Sequence, residues 1–170
     1  QYNGIAAEPL YHPPSDEQAF HCRTALPFIF APGRLESLKR QDLLLRGLAA
    51  CNLSVQVIFA GTGGQRERLV SLARELGVED RIRFAGEVSR AELIALYASC
   101  SAVYFGPFDE DYGYVTLEAM LSAKPVITCT DSGGPLEFVI DGETRFVTEP
   151  EPKALAGALD AVWADATLAR

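Results

Sequence analysis

Histidine is scarce in this sequence, positive charge is not in excess, and long apolar runs are absent. Both histidines, His12 and His21, lie near the start of the 170-residue chain. This argues against a histidine general base in the rest of the chain, and no Ser-His-Asp set is apparent. The formal net charge of -8 at pH 7 argues against nonspecific binding to nucleic acid or to an anionic membrane, since both need a basic surface. No apolar run approaches the roughly 18 residues that a membrane-spanning helix requires.

Patterns of metal ligands are also weak. Neither histidine has a cysteine, aspartate or glutamate at a convincing ligand spacing, which argues against a metal site there. The chain has four cysteines, Cys22, Cys51, Cys100 and Cys129. They are too far apart in the sequence to form a zinc-binding motif. Three of them lie in or beside apolar elements, so we expect buried free thiols in a reducing compartment.

Short apolar runs alternate with amphipathic helical patterns along the chain. Its length and its 48% apolar content are sufficient for one domain with a sizeable core. The predicted strands are Pro27–Ala31, Val55–Ala60, Arg81–Ala85, Ala102–Phe105, Val126–Cys129 and Phe146–Val147. Because the strands alternate with helices and are apolar on both faces, we predict an α/β fold. The expected architecture is a three-layer Rossmann-like domain, with an about six-stranded parallel sheet and helices on both faces.

The helices are predicted from apolar residues at helical spacing. The predicted inward-facing or shared-face residues are Leu44 and Leu48; Leu69, Leu72, Ala73 and Leu76; Leu93, Leu96 and Tyr97; Leu117, Met120 and Leu121; and Leu155, Leu159 and Trp163. Gly77 is predicted to end the second helix, and Ser89 with Glu92 forms a capping box that opens the third. Ligands of such sheets bind at the carboxyl ends of the strands, where the glycine-rich and charged loops of this chain are predicted to lie.

The stretch Phe108–Pro125 carries the strongest functional signal. It leaves the predicted fourth strand, passes through the acidic loop Asp109–Asp111 and Gly113, and enters a helix. Free backbone amides at a helix N-terminus attract an anion, typically a phosphate. Glu110 stands just before the helix and Glu118 about one turn inside it, so each could accept hydrogen bonds from hydroxyls flanking a bound phosphate. This arrangement predicts a sugar-nucleotide site.

Two cations follow the first predicted strand. Arg34 and Lys39 could both reach a diphosphate, the arginine through its planar fork and the lysine as a point charge. The alternative is that they are two solvated surface cations. Their position at the carboxyl end of a strand favours the ligand-binding interpretation.

Two other kinds of site have partial signals in the sequence, a dinucleotide-binding loop and a divalent-metal site. Gly61–Gly64 after a strand is similar to a dinucleotide-binding loop, but the acidic pair Glu79–Asp80 precedes the next strand instead of ending it, which argues against nicotinamide binding. Asp109–Asp111 also reads as a D-x-D pattern able to hold a divalent metal. With two fixed cations available a metal is unnecessary, so we predict no metal and no cofactor.

Several motifs occur in a fixed order along the chain. They are Gly33-Arg34-Leu35 with Lys39, Phe59–Gly63, Arg83–Gly86, Glu110 with Gly113 and Glu118–Met120, Lys124–Ile127, Gly133-Gly134 with Glu137, and Asp141-Gly142. The series resembles the C-terminal, donor-binding domain of retaining glycosyltransferases of family 4, which have the GT-B fold. The resemblance covers nearly the whole chain, from about Phe28 onward.

The resemblance implies roles for individual residues. Arg34 and Lys39 would hold the donor diphosphate, and Glu110 would contact hydroxyls of the donor sugar. Glu118 would contact the ribose hydroxyls. The backbone groups implied in binding are those of Gly113, Tyr114, Val115 and Thr116, which meet phosphate and sugar, and those near Val88, which meet the nucleobase. Members of the family typically need no metal.

The chain departs from the family pattern at three positions. Asp111 replaces the first glycine of the family's Glu-Gly-Phe-Gly, and it adds negative charge near the expected phosphate. Ala123 stands where a glycine is expected at the end of the helix, and Arg145 where another is expected after Asp141-Gly142. None of these positions is among the residues with an implied role.

The resemblance also implies a domain organisation. We expect residues 1–25 to be an interdomain linker with a remnant of an N-terminal domain, and residues 26–170 to bind the donor. The N-terminal acceptor domain and a C-terminal crossing helix are expected to be missing, so the chain alone should bind a UDP- or GDP-sugar and transfer little. The full-length enzyme is expected in the cytoplasm, with peripheral association at the inner membrane face left open. The alternative is a noncatalytic nucleotide-sugar binding module that works through a partner.

Overall fold

The computed structural model describes residues 12, 14–52, 54–140, 142 and 145–164. Its strands are β1 Phe28–Pro32, β2 Gln56–Ala60, β3 Ile82–Gly86, β4 Ala102–Tyr104, β5 Val126–Cys129 and β6 Arg145–Thr148. Its α-helices are α1 Gln41–Ala50, α2 Arg66–Glu75, α3 Arg90–Ser99, α4 Tyr114–Leu121 and α5 Pro152–Ala164. Each predicted strand is found, and its bounds differ from the prediction by at most one residue at either end.

All six strands run parallel in the order β3-β2-β1-β4-β5-β6. The chain therefore builds the sheet outward from β1 to β3 and then returns to the other side of β1 with β4. The carboxyl ends of β1 and β4 diverge at this reversal, which is where ligands bind in open α/β sheets. The predicted α/β architecture with a six-stranded parallel sheet is confirmed.

The sheet has an apolar core on each face because its central strands are apolar throughout. All five residues of β1 are buried. Ile29 and Ala31 belong to the core beneath α1, α2 and α5, whereas Phe28 and Phe30 belong to the core beneath α3 and α4. Side chains alternate between the faces of a strand, so one buried strand supplies both layers.

Close helix contacts complete these two cores. Tyr97 of α3 is fully buried and meets the ring of Phe30 edge-on, with the ring centroids 5.0 Å apart. In the other layer α1 presents Gly47 to α5, where a Cβ atom would lie 2.9 Å from side-chain atoms of Leu155. The absence of a side chain at Gly47 therefore lets α5 lie directly on α1.

Helix α4 buries a different face from the one that its apolar residues indicate. Thr116, Ala119 and Ser122 are fully buried, whereas Leu121 is 38% exposed and Leu117 and Met120 are half-buried. The buried residues are spaced three apart and share a face. Their small side chains let α4 lie close to the sheet, so the largest apolar residues of this helix are not its most buried ones.

Local signals at helix ends agree with the structure. Ser89 and Glu92 form both bonds of the capping box, and Gly77 follows α2 with a positive φ of 67°. Three of the four free cysteines are buried, as predicted, while Cys22 is exposed. The predicted inward position of Trp163 lies outside the described side chains. None of the helices in the described ranges is long and apolar enough to cross a bilayer.

Candidate functional site

Lys39 and Glu110 meet at the sheet edge where the strand order reverses. Lys39 follows β1 and Glu110 follows β4, and the two side chains form an ion pair although they are 71 positions apart. The Lys39 ammonium also lies 5.6 Å from the centre of the Phe105 ring. Their side chains are 20% and 28% exposed, so most of the pair is shielded from solvent. The structure thus brings together two of the residues that the sequence indicated.

Arg34 lies on the same edge but is more exposed. Its side chain is 75% exposed and pairs with Glu36 at 3.0 Å. An ion pair this exposed contributes little to stability, so the guanidinium can turn to an incoming anion at small cost. The loop that carries Arg34 is bound to the loop after β2, because the amide of Leu35 donates to the carbonyl of Thr62 at 2.9 Å.

The N-terminus of α4 opens beside this ion pair. Gly113 precedes it with a φ of 78°, and a Cβ atom there would lie 2.9 Å from side-chain atoms of both Phe105 and Pro135, so a glycine is required. The amide of Thr116 is already used, since it donates to the carbonyl of Gly113 at 2.9 Å. In the described part of the chain, no protein acceptor is found for the amides of Tyr114 and Val115. These two groups can therefore meet an anion.

The backbone of Glu110 is held by the loop after β5. Its amide donates to the carbonyl of Ser132 at 3.0 Å, and its carbonyl accepts from the amide of Gly134 at 2.6 Å. The sequence identified Gly133-Gly134 as a motif, but it did not predict that this loop contacts Glu110. Glu110 is thus fixed by residues about twenty positions later in the sequence.

Glu118 contacts Arg90 and Tyr97, two partners that the sequence did not indicate. Its Oε1 accepts from Nη1 of Arg90 at 2.6 Å, and its Oε2 accepts from the Tyr97 hydroxyl at 2.8 Å. The Glu118 side chain is 12% exposed. Burial, with a smaller effect of the neighbouring Glu118 carboxylate, raises the pKa of Tyr97 well above its usual value, so the phenol remains a donor.

Arg90 was missed by the sequence reasoning, and it binds two carboxylates. Besides Glu118 it binds both oxygens of Asp16, at 2.6 and 2.7 Å, and its guanidinium lies 5.0 Å from the centre of the Phe20 ring. The hydrogen bond from Arg90 lowers the pKa of Asp16, and the bond from Asp16 in turn raises the pKa of Arg90. One available signal was its position, because a cation at the first residue of a helix is electrostatically unfavourable.

Arg40 is the second residue that was missed. It donates to both carboxylate oxygens of Asp131, at 2.8 and 2.7 Å, and to the carbonyls of Gly106 and Pro107, at 2.8 and 2.6 Å. The hydrogen bonds from Arg40 hold the pKa of Asp131 below its usual value. Nothing in the sequence distinguishes Arg40 from an ordinary surface arginine, so no local pattern could have found it.

One predicted residue, Val88, and one residue with no predicted role, His12, complete the description of this part of the chain. Val88 is half-buried in the loop between β3 and α3, two residues before Arg90. His12 lies against the rings of Tyr112 and Tyr114, with its Nδ1 2.7 Å from the hydroxyl of Tyr114. Within the described residues no group of three histidine, cysteine, aspartate or glutamate side chains is arranged to hold a metal ion. The role predicted for Val88, like those of the other predicted site residues, remains a prediction.

Comparison with known proteins gives consistent matches. The sequence profile of the family described as glycosyl transferases group 1 matches residues 16–170. A D-inositol 3-phosphate glycosyltransferase of Corynebacterium glutamicum is 33% identical over 167 residues, covering 88% of this chain and 40% of that protein. Among solved structures, Anabaena Alr3699/HepE in complex with UDP-glucose is 31% identical with a TM-score of 0.77, over 84% of this chain and 40% of that one.

A further solved structure, sucrose-phosphate synthase from Thermosynechococcus elongatus, is 25% identical with a TM-score of 0.82. It is matched over 92% of this chain and 43% of its own. The chain thus spans about 40% of the length of the first two relatives. The family profile, by contrast, matches nearly all of the chain, and the same fold recurs in these solved structures. The chain therefore belongs to the glycosyl transferases group 1 family.

Proposed function

We propose that this chain is the donor-binding domain of a retaining glycosyltransferase that moves a sugar from a UDP- or GDP-sugar to an acceptor. The observation that carries the proposal is the Lys39–Glu110 ion pair, which lies beside the open amides of α4 where the strand order reverses. The similar Anabaena protein was solved in complex with UDP and with UDP-glucose, which supports a nucleotide-sugar donor and favours UDP.

The reaction develops negative charge on the nucleoside diphosphate. As the bond between the anomeric carbon and the phosphate oxygen breaks, the bonding electrons stay on that oxygen. Lys39, Arg34 and the amides of Tyr114 and Val115 would stabilise this charge where it forms. Because Lys39 and the two amides are held at the sheet edge before the donor arrives, only the exposed Arg34 side chain has to turn when the diphosphate binds.

The ion pair also gives Glu110 a role in donor binding. Alone, a carboxylate next to a diphosphate would repel it, but Lys39 lies against this carboxylate and offsets its charge. In the proposed complex Lys39 bridges Glu110 and the phosphate, while the free oxygen of Glu110 accepts hydrogen bonds from the sugar hydroxyls. Glu118 would meet the ribose, and the backbone near Val88 the nucleobase.

The proposed organisation places the acceptor site outside residues 26–170. Residues 1–25 would form the linker to an N-terminal acceptor domain, with the reaction in the cleft between the domains. We place the intact enzyme in the cytoplasm. Release of UDP from a UDP-sugar by a protein that joins both domains tests transfer. Binding without release would favour a noncatalytic module instead.

Donor binding itself is testable by calorimetric titration of the 170-residue chain with UDP and GDP. We expect Lys39→Ala and Arg34→Ala each to weaken binding by about 1–3 kcal/mol, the usual value of a hydrogen bond to a charged group. Lys153→Ala is the matched control, because this exposed lysine lies on α5. Unchanged affinity in both site variants would contradict the assignment.

A further inference from the structure

We propose that Arg90 is a positioning residue for the nucleotide's ribose. Together with Tyr97 it holds the carboxylate of Glu118 in one orientation as the acceptor for ribose hydroxyls, and so it sets the preference for a ribonucleotide over a dideoxynucleotide. The inference rests on the proposed function and adds to it two residues of α3 that have no implied role in the family resemblance.

Glu118 is held from two turns of one helix. Arg90 contacts Oε1 and Tyr97 contacts Oε2, at 2.6 and 2.8 Å. The two donors are seven residues apart on α3, which places them on the same face of that helix. A glutamate with each oxygen bound to a different donor cannot rotate freely, so its orientation is set before a ligand arrives.

The Glu118 carboxylate can accept further hydrogen bonds besides those from Arg90 and Tyr97. Two carboxylate oxygens offer about four lone-pair sites, and Arg90 and Tyr97 occupy two of them. The remaining two suit a pair of adjacent hydroxyls, such as the 2′ and 3′ hydroxyls of ribose. The Glu118 side chain also retains 12% exposure, so it is not sealed from solvent.

Arg90 is itself held firmly. Both oxygens of Asp16 bind its guanidinium, and the ring of Phe20 lies against it at 5.0 Å. It begins α3, where a cation opposes the helix dipole, so helix stability does not explain its position. It also follows Val88 by two residues. One loop would therefore carry both the contact to the base and the positioning of the ribose acceptor.

A purely structural role for Arg90 predicts a different result. Arg90 connects α3 to α4 and to the segment before β1, so its loss could lower stability in either case. Only a positioning role changes the relative affinity for nucleotides that differ in their ribose hydroxyls. The ratio of two affinities measured on the same folded variant therefore separates the two roles.

The test is calorimetric titration of the 170-residue chain with UDP and with 2′,3′-dideoxyuridine diphosphate. We expect the unmodified chain to bind UDP about tenfold or more tightly than the dideoxy compound, since two hydrogen bonds to a charged group are lost. Arg90→Gln and Tyr97→Phe should each reduce this ratio about three- to tenfold. Arg74→Gln, the same change on the exposed face of α2, should leave the ratio unchanged.

An unchanged ratio in Tyr97→Phe and in a folded Arg90→Gln would overturn the inference. If Arg90→Gln does not fold, Tyr97→Phe decides alone, because it removes a single oxygen and keeps the buried ring. A chain that binds UDP and the dideoxy compound equally well would also overturn the inference while leaving donor binding intact. A chain that binds neither UDP nor GDP would overturn the proposed function as well.

Discussion

At the scale of single residues, Ala123 has a left-handed backbone conformation, which strains any residue other than glycine. Ala123 follows α4 with a φ of 51°, at the position where the family resemblance leads one to expect glycine. Its amide donates to the carbonyl of Met120 at 2.8 Å, which closes the end of the helix. An alanine in this conformation is strained by contact between its Cβ and the backbone. The departure from the family pattern therefore has a physical cost.

We expect Ala123→Gly to stabilise the chain by about 0.5–1 kcal/mol. Relief of roughly 1–2 kcal/mol of strain is partly offset by the greater entropy of glycine in the unfolded chain. Ala123 is exposed, so no buried contact is lost. The measurement is urea unfolding followed by circular dichroism.

Ala49→Gly is the matched control for this change. Ala49 is also exposed but lies inside α1, where glycine costs about 0.5–1 kcal/mol. The two substitutions should therefore change stability in opposite directions. Destabilisation by both would show that the strain at Ala123 is negligible.

At the scale of elements, Arg40 joins three loops of the sheet edge. It follows the short 3₁₀ turn Ser37–Lys39 after β1, and it binds the carbonyls that follow β4 and the carboxylate that follows β5. Its backbone is left-handed, with a φ of 50°, and its carbonyl accepts from the Tyr104 hydroxyl at 3.1 Å. These bonds offset the strain and fix Lys39, its neighbour, relative to Glu110.

We expect Asp131→Asn to lower stability by about 1 kcal/mol at pH 7, and the deficit to shrink below about pH 4. The bonds from Arg40 hold the folded-state pKa of Asp131 below its unfolded value of about 3.9. The contribution is therefore present above that pH and is lost as pH falls through the lowered folded pKa. Its size stays modest because the Asp131 side chain is 35% exposed and partly screened.

Urea unfolding of both proteins at pH 7 and pH 3 measures this difference. Asp80→Asn serves as the control, since Asp80 is exposed in the turn before β3 and its substitution should change stability by less than about 0.5 kcal/mol. A deficit for Asp131→Asn that is equally large at pH 3 would refute an ionic origin.

At the scale of the whole molecule, one sheet joins two cores into a single structure. Helix α5 comes last in the described chain, yet it packs on α1 through Leu155, which is fully buried against Gly47. The first and last helices of the described domain thus depend on each other. Because both cores use the same strands, unfolding of this domain should be a single cooperative transition.

Leu155→Ala should destabilise the chain by about 2–5 kcal/mol, the usual cost of removing a large buried side chain and leaving a cavity. Leu26→Ala makes the same chemical change at a residue that is 54% exposed, and it should cost less than about 1 kcal/mol. Urea unfolding of the two variants gives the comparison. Equal effects would mean that α5 does not contribute to the core as the structure shows.

The sequence by itself determined the elements and the edge of the sheet that carries the site. Apolar runs of strand length, helical spacing and capping signals such as Ser89 with Glu92 are local, so they can be read without knowing the fold. Parallel strands then place every loop that follows a strand on one edge. Lys39, Glu110 and the N-terminus of α4 were found in this way.

Tertiary structure alone decided which side chains meet on that edge. The partners of Arg40 and Arg90 are up to 91 positions away. Nothing in the local sequence around either arginine identifies which carboxylates it binds. The buried face of α4 was likewise decided by close approach to the sheet, which selected Thr116 and Ala119 over larger apolar neighbours. Local sequence sets backbone propensity and amphipathic pattern, whereas the pairing of charges depends on distances that only the folded chain defines.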